Sequence, residues 1–350
     1  MTDRRRFIKI LCALPLIAFL PGLADAGDVF DFAKLKEGYA QRLKRILAAG
    51  GLPYIDIESS CKASRVDIDY IAKYIDRLDI GLMALSSDIS KEEYEEGELT
   101  DDLQQRLLAR YPDRFIPVGN GARPPALTEA SEEFLDAQEA GVLAKQFMLL
   151  GEYEFRHYPS GRELRRGKKH RDVTIPIDGP IGHRLFSISE KTGISSQIHY
   201  EIEDVLLPPL EKMLGLYPKA KVIWCHLAQI RYIERASRYS PSYVENLIKL
   251  HPNLHFDTAF RDFKSTYILS HQHHARVWAS EGVLKPEWRD LMVAYPKRFL
   301  SALDLGGDRL DQIVAYDQNH RNFLNCLPAE TRHQVGYRNA WSLLFGEEFV

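Results

Sequence analysis

Ile194-Ser195-Ser196-Gln197-Ile198-His199 and Lys221-Val222-Ile223-Trp224-Cys225-His226 decide the reading of this chain. Each is a short apolar run that ends on a histidine. Between them, Val205 to Leu216 has helical character and stops at Tyr217-Pro218. Strand, helix, strand is the order of a parallel crossover unit. Both histidines therefore fall at the carboxyl ends of successive parallel strands, the edge where α/β enzymes place their chemistry. One such histidine reads as a hydrogen-bonded core residue. Two at equivalent ends point to a site.

The pattern repeats on both sides. Leu52–Ser60, Ile80–Leu85, Phe115–Gly119, Val142–Gly151, Asn253–Ala259 and Phe299–Asp304 read as further strands. Amphipathic segments lie between most of them, as at Val66–Leu78, Leu99–Tyr111, Thr128–Ala140 and Pro180–Lys191. One junction recurs. Tyr111-Pro112, Tyr217-Pro218, His251-Pro252 and Tyr295-Pro296 each put a ring, then a proline that stops a helix, just before a strand. Eight candidate strands joined this way predict an α/β fold, a (β/α)8 TIM barrel over residues 52–350. Val29–Ala48 adds an N-terminal helical segment within 27–51, and helices at 308–325 and 329–344 close the chain.

Residues 1–26 read as a signal peptide rather than as fold. Arg4-Arg5-Arg6-Phe7-Ile8-Lys9 is basic, Ile10 to Leu23 is apolar, and Ala24-Asp25-Ala26 is a small-x-small cleavage site. The twin arginines match the Tat export signal, with the Sec route as the alternative. A periplasmic or secreted protein is the expectation. The chain has 350 residues, 45% of them hydrophobic, enough for a large core. Loss of the leader's four Lys/Arg and two Asp takes the net charge from −3 to −5, which disfavours nucleic acid as a partner. The expected partners are a small-molecule substrate, the export machinery and further copies of the chain. Cys61, Cys225 and Cys326 remain, an odd number without framework spacing. Arg156 to Asp178, rich in arginine and lysine, reads as a surface loop over the strand ends.

Polar residues gather at the predicted strand ends. They are Asp56, Glu58 and Ser60 on one face of the first strand, Glu152 and Glu154 after the fourth, and Gln197, His199 and Glu201 on the fifth. His226 ends the sixth strand and Asp304 the eighth. Two histidines and up to three carboxylates at one mouth suit one divalent ion, zinc first, with manganese or iron as alternatives. Arg123, Arg156 and His157 follow strands three and four and are candidates for binding a substrate carboxylate. His271-Gln272-His273-His274 reads as surface, and Cys225 as core.

This order of strand-end residues resembles the amidohydrolase superfamily, specifically its amidohydrolase-related branch. Ile198-His199-Tyr200, Val222-Ile223-Trp224-Cys225-His226-Leu227-Ala228, Arg298-Phe299-Leu300-Ser301-Ala302-Leu303-Asp304 and Leu149-Leu150-Gly151-Glu152 carry the resemblance. It implies His199 and His226 as metal ligands and Asp304 as ligand and general base or proton shuttle. It implies Glu152 as a bridging or direct ligand, in preference to a carboxylated Lys145. Where the family has His-x-His on strand one, this chain has Glu58 and Ser60. Glu58 can still bind a cation, and Ser60 leaves a position open to water. The implied function is hydrolysis of an amide, lactone or ester of a small molecule through metal-activated water. The alternatives are a metal-free lactonase or decarboxylase-like barrel, or a non-catalytic periplasmic binding protein.

Overall fold

The computed structural model describes residues 30–89, 91–306 and 309–350. The signal-peptide and export expectations for residues 1–26 lie outside the described residues. The strands are β1 (Tyr54–Cys61), β2 (Ile80–Ser87), β3 (Phe115–Ile116), β4 (Leu149–His157), β5 (Val173–Thr174), β6 (Ser195–Tyr200), β7 (Lys221–Trp224), β8 (Leu254–Asp257), β9 (Trp278–Ser280), β10 (Val283–Leu284) and β11 (Phe299–Leu300). One sheet runs β1-β2-β3, another runs β11-β8-β7-β6-β4-β5, and β9 pairs with β10 alone. All pairs are parallel except β4 with β5 and β9 with β10.

Isolated bridges link the two larger sheets at both ends. Val118 and Ala122, just past β3, pair in parallel with Leu149 and Tyr153 of β4. Ser59 of β1 pairs in parallel with Leu305. Backbone bonds reinforce the second seam. Ile57 N–H donates to Ser301 O, and Asp304 N–H to Glu58 O, both at 3.0 Å. The first and last strands of the chain are therefore neighbours.

Helices cover the outer faces for ordinary reasons. Ile68–Arg77 buries Ile68, Ile71, Ala72 and Ile75, the stripe a 3.6-residue repeat puts on one side. Asp67 caps it by accepting the Tyr70 amide at 2.9 Å. Each fully buried isoleucine contributes about 1.5–3 kcal/mol. The recurrent junction works as read: Tyr111, Tyr217, His251 and Tyr295 are each the C-cap residue of a helix that feeds the next strand. Under the sheet, strands such as β2 are buried along their whole length, as parallel strands covered on both faces must be.

Three segments differ from the expectation. The helix read as Thr128–Ala140 is two, Ala126–Glu129 and Ser131–Leu143, and the second takes Val142 and Leu143 from the predicted fourth strand. Lys145, left-handed at φ 58°, closes that helix and is exposed, so β4 begins only at Leu149. The segment 156–178 is folded rather than a merely solvated loop. It carries a capped turn of helix at Gly161–Arg165, and β5 pairs back on β4. The hairpin of β9 and β10 was not legible from a segment with no alternation to mark it.

Candidate metal centre

β6 is buried along its full length and carries His199 as its penultimate residue. His226 lies two residues past the end of β7, with φ 63°. That left-handed backbone costs roughly 1–3 kcal/mol for a residue with a side chain. It is held by Asp257, at the end of β8, whose Oδ1 accepts the amides of His226 at 2.7 Å and Ala259 at 3.0 Å. Asp304 is also left-handed, at φ 50°. Strain at two of the implied site residues fits a fold that sacrifices local comfort for placement.

Glu152 of β4, His199 and His226 meet. His199 Nδ1 is 2.8 Å from Glu152 Oε1, His226 Nε2 is 3.0 Å from the same oxygen, and the two nitrogens are 3.2 Å apart. Burial opposes charge on Glu152, yet His199 and hydrogen bonds from both rings hold its carboxyl well below the usual range. Burial disfavours the His199 cation, but Glu152 and then Glu201 lift its pKa well above the ordinary value. His226 is lifted to about 9 against its burial by Glu152 and Asp257. His199 Nε2 faces Glu201 at 3.4 Å, and Arg231 Nε donates to that same Glu201 oxygen at 3.0 Å.

Glu58 is 3% exposed, and its Oε2 has no hydrogen-bond partner. Burial, then Glu152 and Asp304, push its carboxyl well above the ordinary range. Asp56, on the same face, is a fastener: it accepts from Leu303 N at 2.9 Å and from Ser59 Oγ at 2.6 Å. Burial raises its pKa to about 8. Asp304 takes Arg261 Nη2 at 2.7 Å and Arg309 Nη2 at 3.1 Å, one on each oxygen. Burial works against its charge, but the two guanidinium groups hold its pKa low.

Two groups of residues bring three ligand atoms within 4.8 Å of one another: Glu152, His199 and His226, and Glu58, His226 and Asp257. The expected ligands Glu58, Glu152, His199 and His226 thus fall into two overlapping trios, and Asp304, also expected as a ligand, into neither, because Arg261 and Arg309 occupy its two oxygens. Ligand atoms around a tetrahedral zinc at ~2.0–2.1 Å stand about 3.3 Å apart. Separations of 2.8–3.2 Å need open by only a few tenths of an ångström. Beside them, Glu58, grouped with His226, keeps one orphaned oxygen that a cation would satisfy. The residues fit the ion.

The expected substrate contacts are otherwise engaged. Arg156 donates to Glu203 at 2.7 Å and Asp172 at 2.6 Å, tying the 156–178 segment to the sheet. Arg123 pairs with Asp88 at 3.3 Å. His157 Nδ1 meets Arg171 O at 2.7 Å, and its ring centre is 4.9 Å from that of His199. Of the histidine tract, His271 and His273 are exposed, while His274 reaches Arg231 at 3.2 Å. Cys225 is buried, and burial followed by Asp257 pushes its thiol well up, which makes it an inert neutral group. Asp257, Arg231, Arg261 and Arg309 escaped the sequence reading. Asp257 obeys the same strand-end rule as the others and could have been found by it; the arginines sit on loops without a pattern.

No protein-family model matches the chain, and no curated protein matches it in sequence. Solved structures do match. 2,6-Dihydroxybenzoate decarboxylase in complex with 2,6-dihydroxybenzoate superposes with TM-score 0.53 at 13% identity, over 83% of this chain and 98% of its own. The Rhizobium 2,6-dihydroxybenzoate decarboxylase gives TM-score 0.52 at 13% identity, with the same coverage. A zinc-bearing amidohydrolase from Burkholderia multivorans gives TM-score 0.46 at 10% identity, over 83% of this chain and 98% of its own, a fit too loose to weigh. At these identities the likeness speaks to the fold.

Proposed function

We propose that the chain is an exported, metal-dependent hydrolase of the amidohydrolase type, acting on an amide, lactone or ester of a small molecule. The observation that carries this reading is the meeting of Glu152 Oε1, His199 Nδ1 and His226 Nε2 within 3.2 Å of one another. The sheet order and the bridges at both seams support an eight-stranded barrel, with β5, β9 and β10 as additions to its rim. Glu152, His199 and His226 would hold the ion, zinc by their nitrogen-rich donor set, with manganese or iron as alternatives.

When bound, such an ion supplies Lewis-acid polarisation of a substrate carbonyl. The protein's own groups do the rest. Arg231 and Glu201 fix the His199 ring from behind, which sets which nitrogen faces the mouth. Asp257 fixes His226 through its backbone. Asp304 is held ionised by Arg261 and Arg309, ready to accept a proton or orient water. Arg123, the most accessible of the expected anion contacts, is the candidate for a substrate carboxylate, with Arg156 and His157 behind it.

Metal analysis of the purified mature chain tests the reading, together with turnover of a panel of lactones, esters, amides and aromatic acids. The expected result is bound zinc, and loss of metal and turnover together in His199→Ala. The metal-free alternative draws on one feature: Glu152 Oε1 also lies at hydrogen-bond distance from both rings. Turnover without metal would favour it. Export has its own test. Arg4→Lys with Arg5→Lys should strand the protein in the cytoplasm, whereas unchanged periplasmic recovery would rule out the twin-arginine route.

A further inference from the structure

The segment 156–178 carries more positive charge than its own folding uses. The two carboxylates that flank its basic run are taken by buried arginines: Glu163 by Arg171 Nε at 2.7 Å, and Asp172 by Arg156 Nη1 at 2.6 Å. Arg165, Lys168 and Lys169 stay exposed and, among the described residues, make no ion pair. Arg235, on the loop after β7, is likewise exposed without one, its guanidinium 4.4 Å from the centre of the Tyr232 ring. Aliphatic side chains stand among these cations. Val205 after β6 is 75% exposed, Ile233 after β7 43%, and Leu269 after β8 56%, with Ile268 exposed next to it. β4, β6, β7 and β8 are neighbours in one sheet, so the four loops that follow them form one side of the mouth. The loops also hold one another. Tyr158, Tyr232 and Tyr267, from three of them, have ring centres 5.0, 5.4 and 6.1 Å apart. Asp204 accepts Ser237 Oγ at 2.6 Å, which joins the loop after β6 to the loop after β7. Gly161 opens the basic turn, under a capping box of Ser160 and Glu163, and a Cβ on it would stand 3.8 Å from Ile268 Cγ2.

We propose that this side of the mouth docks on a bilayer surface rich in anionic lipid. Headgroup phosphates supply the negative charge that Arg165, Lys168, Lys169 and Arg235 lack, and the aliphatic tips enter the boundary between headgroups and acyl chains. Scattered aliphatic residues alone are ordinary surface, and cations alone are a solvated loop. Side by side on loops that pack together, they match the two layers of one interface. A polynucleotide would leave the aliphatic tips without a partner, and the net charge of −3 speaks against one. The opposing charge lies mostly elsewhere: Glu234 is exposed beside Ile233, whereas Glu95, Glu96 and Glu98 follow β2, outside these four loops. The surface includes none of Glu152, His199 and His226, and it stands whether or not they hold a metal.

The test floats the full mature chain with vesicles of phosphatidylglycerol and phosphatidylcholine in equal parts, and with vesicles of phosphatidylcholine alone. The chain should rise with the anionic vesicles at low salt, and high salt should release most of it. Arg165→Gln, Lys168→Gln and Lys169→Gln together should weaken the partition roughly 100-fold, at about fivefold for each charge removed. Ile268→Ser with Leu269→Ser should weaken it roughly 10-fold, and should remove what binding survives high salt. Leu143→Ser with Leu216→Ser is the control. Those exposed leucines end helices that lead into β4 and β7, at the far end of the strands, and their loss should leave the partition unchanged. Circular dichroism checks each fold, and the charge and aliphatic variants replace each other if one fails to fold. Equal binding to neutral vesicles, no flotation with anionic ones, or an equal loss in the control would overturn the proposal. So would full binding in both mouth variants. Retention on immobilised polyglutamate without flotation would assign the surface to an acidic protein and overturn it as well.

Discussion

Glu154 and Glu58 are both carboxylates buried at the mouth, yet their surroundings differ sharply. Arg171 grips Glu154 with both terminal nitrogens and reaches Glu163 with Nε at 2.7 Å. Around the same rim Arg231 meets Glu201, Arg156 meets Glu203, and Arg261 with Arg309 meets Asp304. The rim neutralises itself. Further in, Glu58, Glu152 and Asp257 are grouped with histidines and, among the described residues, make no ion pair with an arginine. An unpaired ion in the interior costs several kcal/mol, so a fold that gives Glu154, Glu201, Glu203 and Asp304 an arginine and the inner carboxylates none has left room for a cation. The contrast locates the centre better than any single residue does.

Breaking the rim should give the largest effect. Arg171→Ala leaves Glu154 buried without its partner and should destabilise the chain by about 3–5 kcal/mol in urea unfolding. A loss below about 1 kcal/mol would mean that Glu154 reaches water on its own.

The rim's charge can also be titrated. Burial opposes charge on Glu163, but His157 and Arg171 bring its pKa down from 4.5 to about 2. A depressed folded pKa means that the stabilisation is complete above about pH 4.5 and disappears as the pH falls through about 2. Glu163→Gln should therefore cost about 2 kcal/mol at pH 6 and close to nothing at pH 2. A difference that persisted at pH 2 would assign the pair to shape rather than charge.

The interior should answer with the opposite sign. In metal-free protein Glu58→Gln removes a carboxyl that the fold does not satisfy, and should raise stability by about 1 kcal/mol while lowering metal uptake. If the same variant destabilised the metal-free chain, Glu58 would have a structural partner after all. The smallest effect belongs to the more exposed pair. Arg123→Gln should change stability by less than about 1 kcal/mol, and an increased KM with unchanged kcat would identify it as a substrate contact.

Much of this was legible. His199 and His226 end apolar runs separated by one helix, and that spacing sufficed to place them together. The tyrosine–proline junctions gave the helix ends because proline acts locally. What was lost needed long-range information. β4 was set several residues early because Val142 and Leu143 are as good in a helix as in a strand, and only packing decides. Arg171 lies in a segment whose composition suggests a solvated loop, yet Glu154 of β4 and Glu163 of the same segment hold it in. Asp257 ends its strand just as Asp304 follows the last one, and the strand-end rule points to both, whereas the resemblance names only Asp304.

The seam between the first and last strands has a consequence in time. Leu303 N–H donates to Asp56 across 247 residues of chain, and Asp304 N–H closes onto Glu58 O beside it. A ribosome delivers β1 early and its neighbour almost last. Until then Glu58 waits on an open edge, although Glu152, His199 and His226 have already been made. A chain that ended before Ser301 would keep Glu152, His199 and His226 but leave the Glu58 edge without its backbone cover.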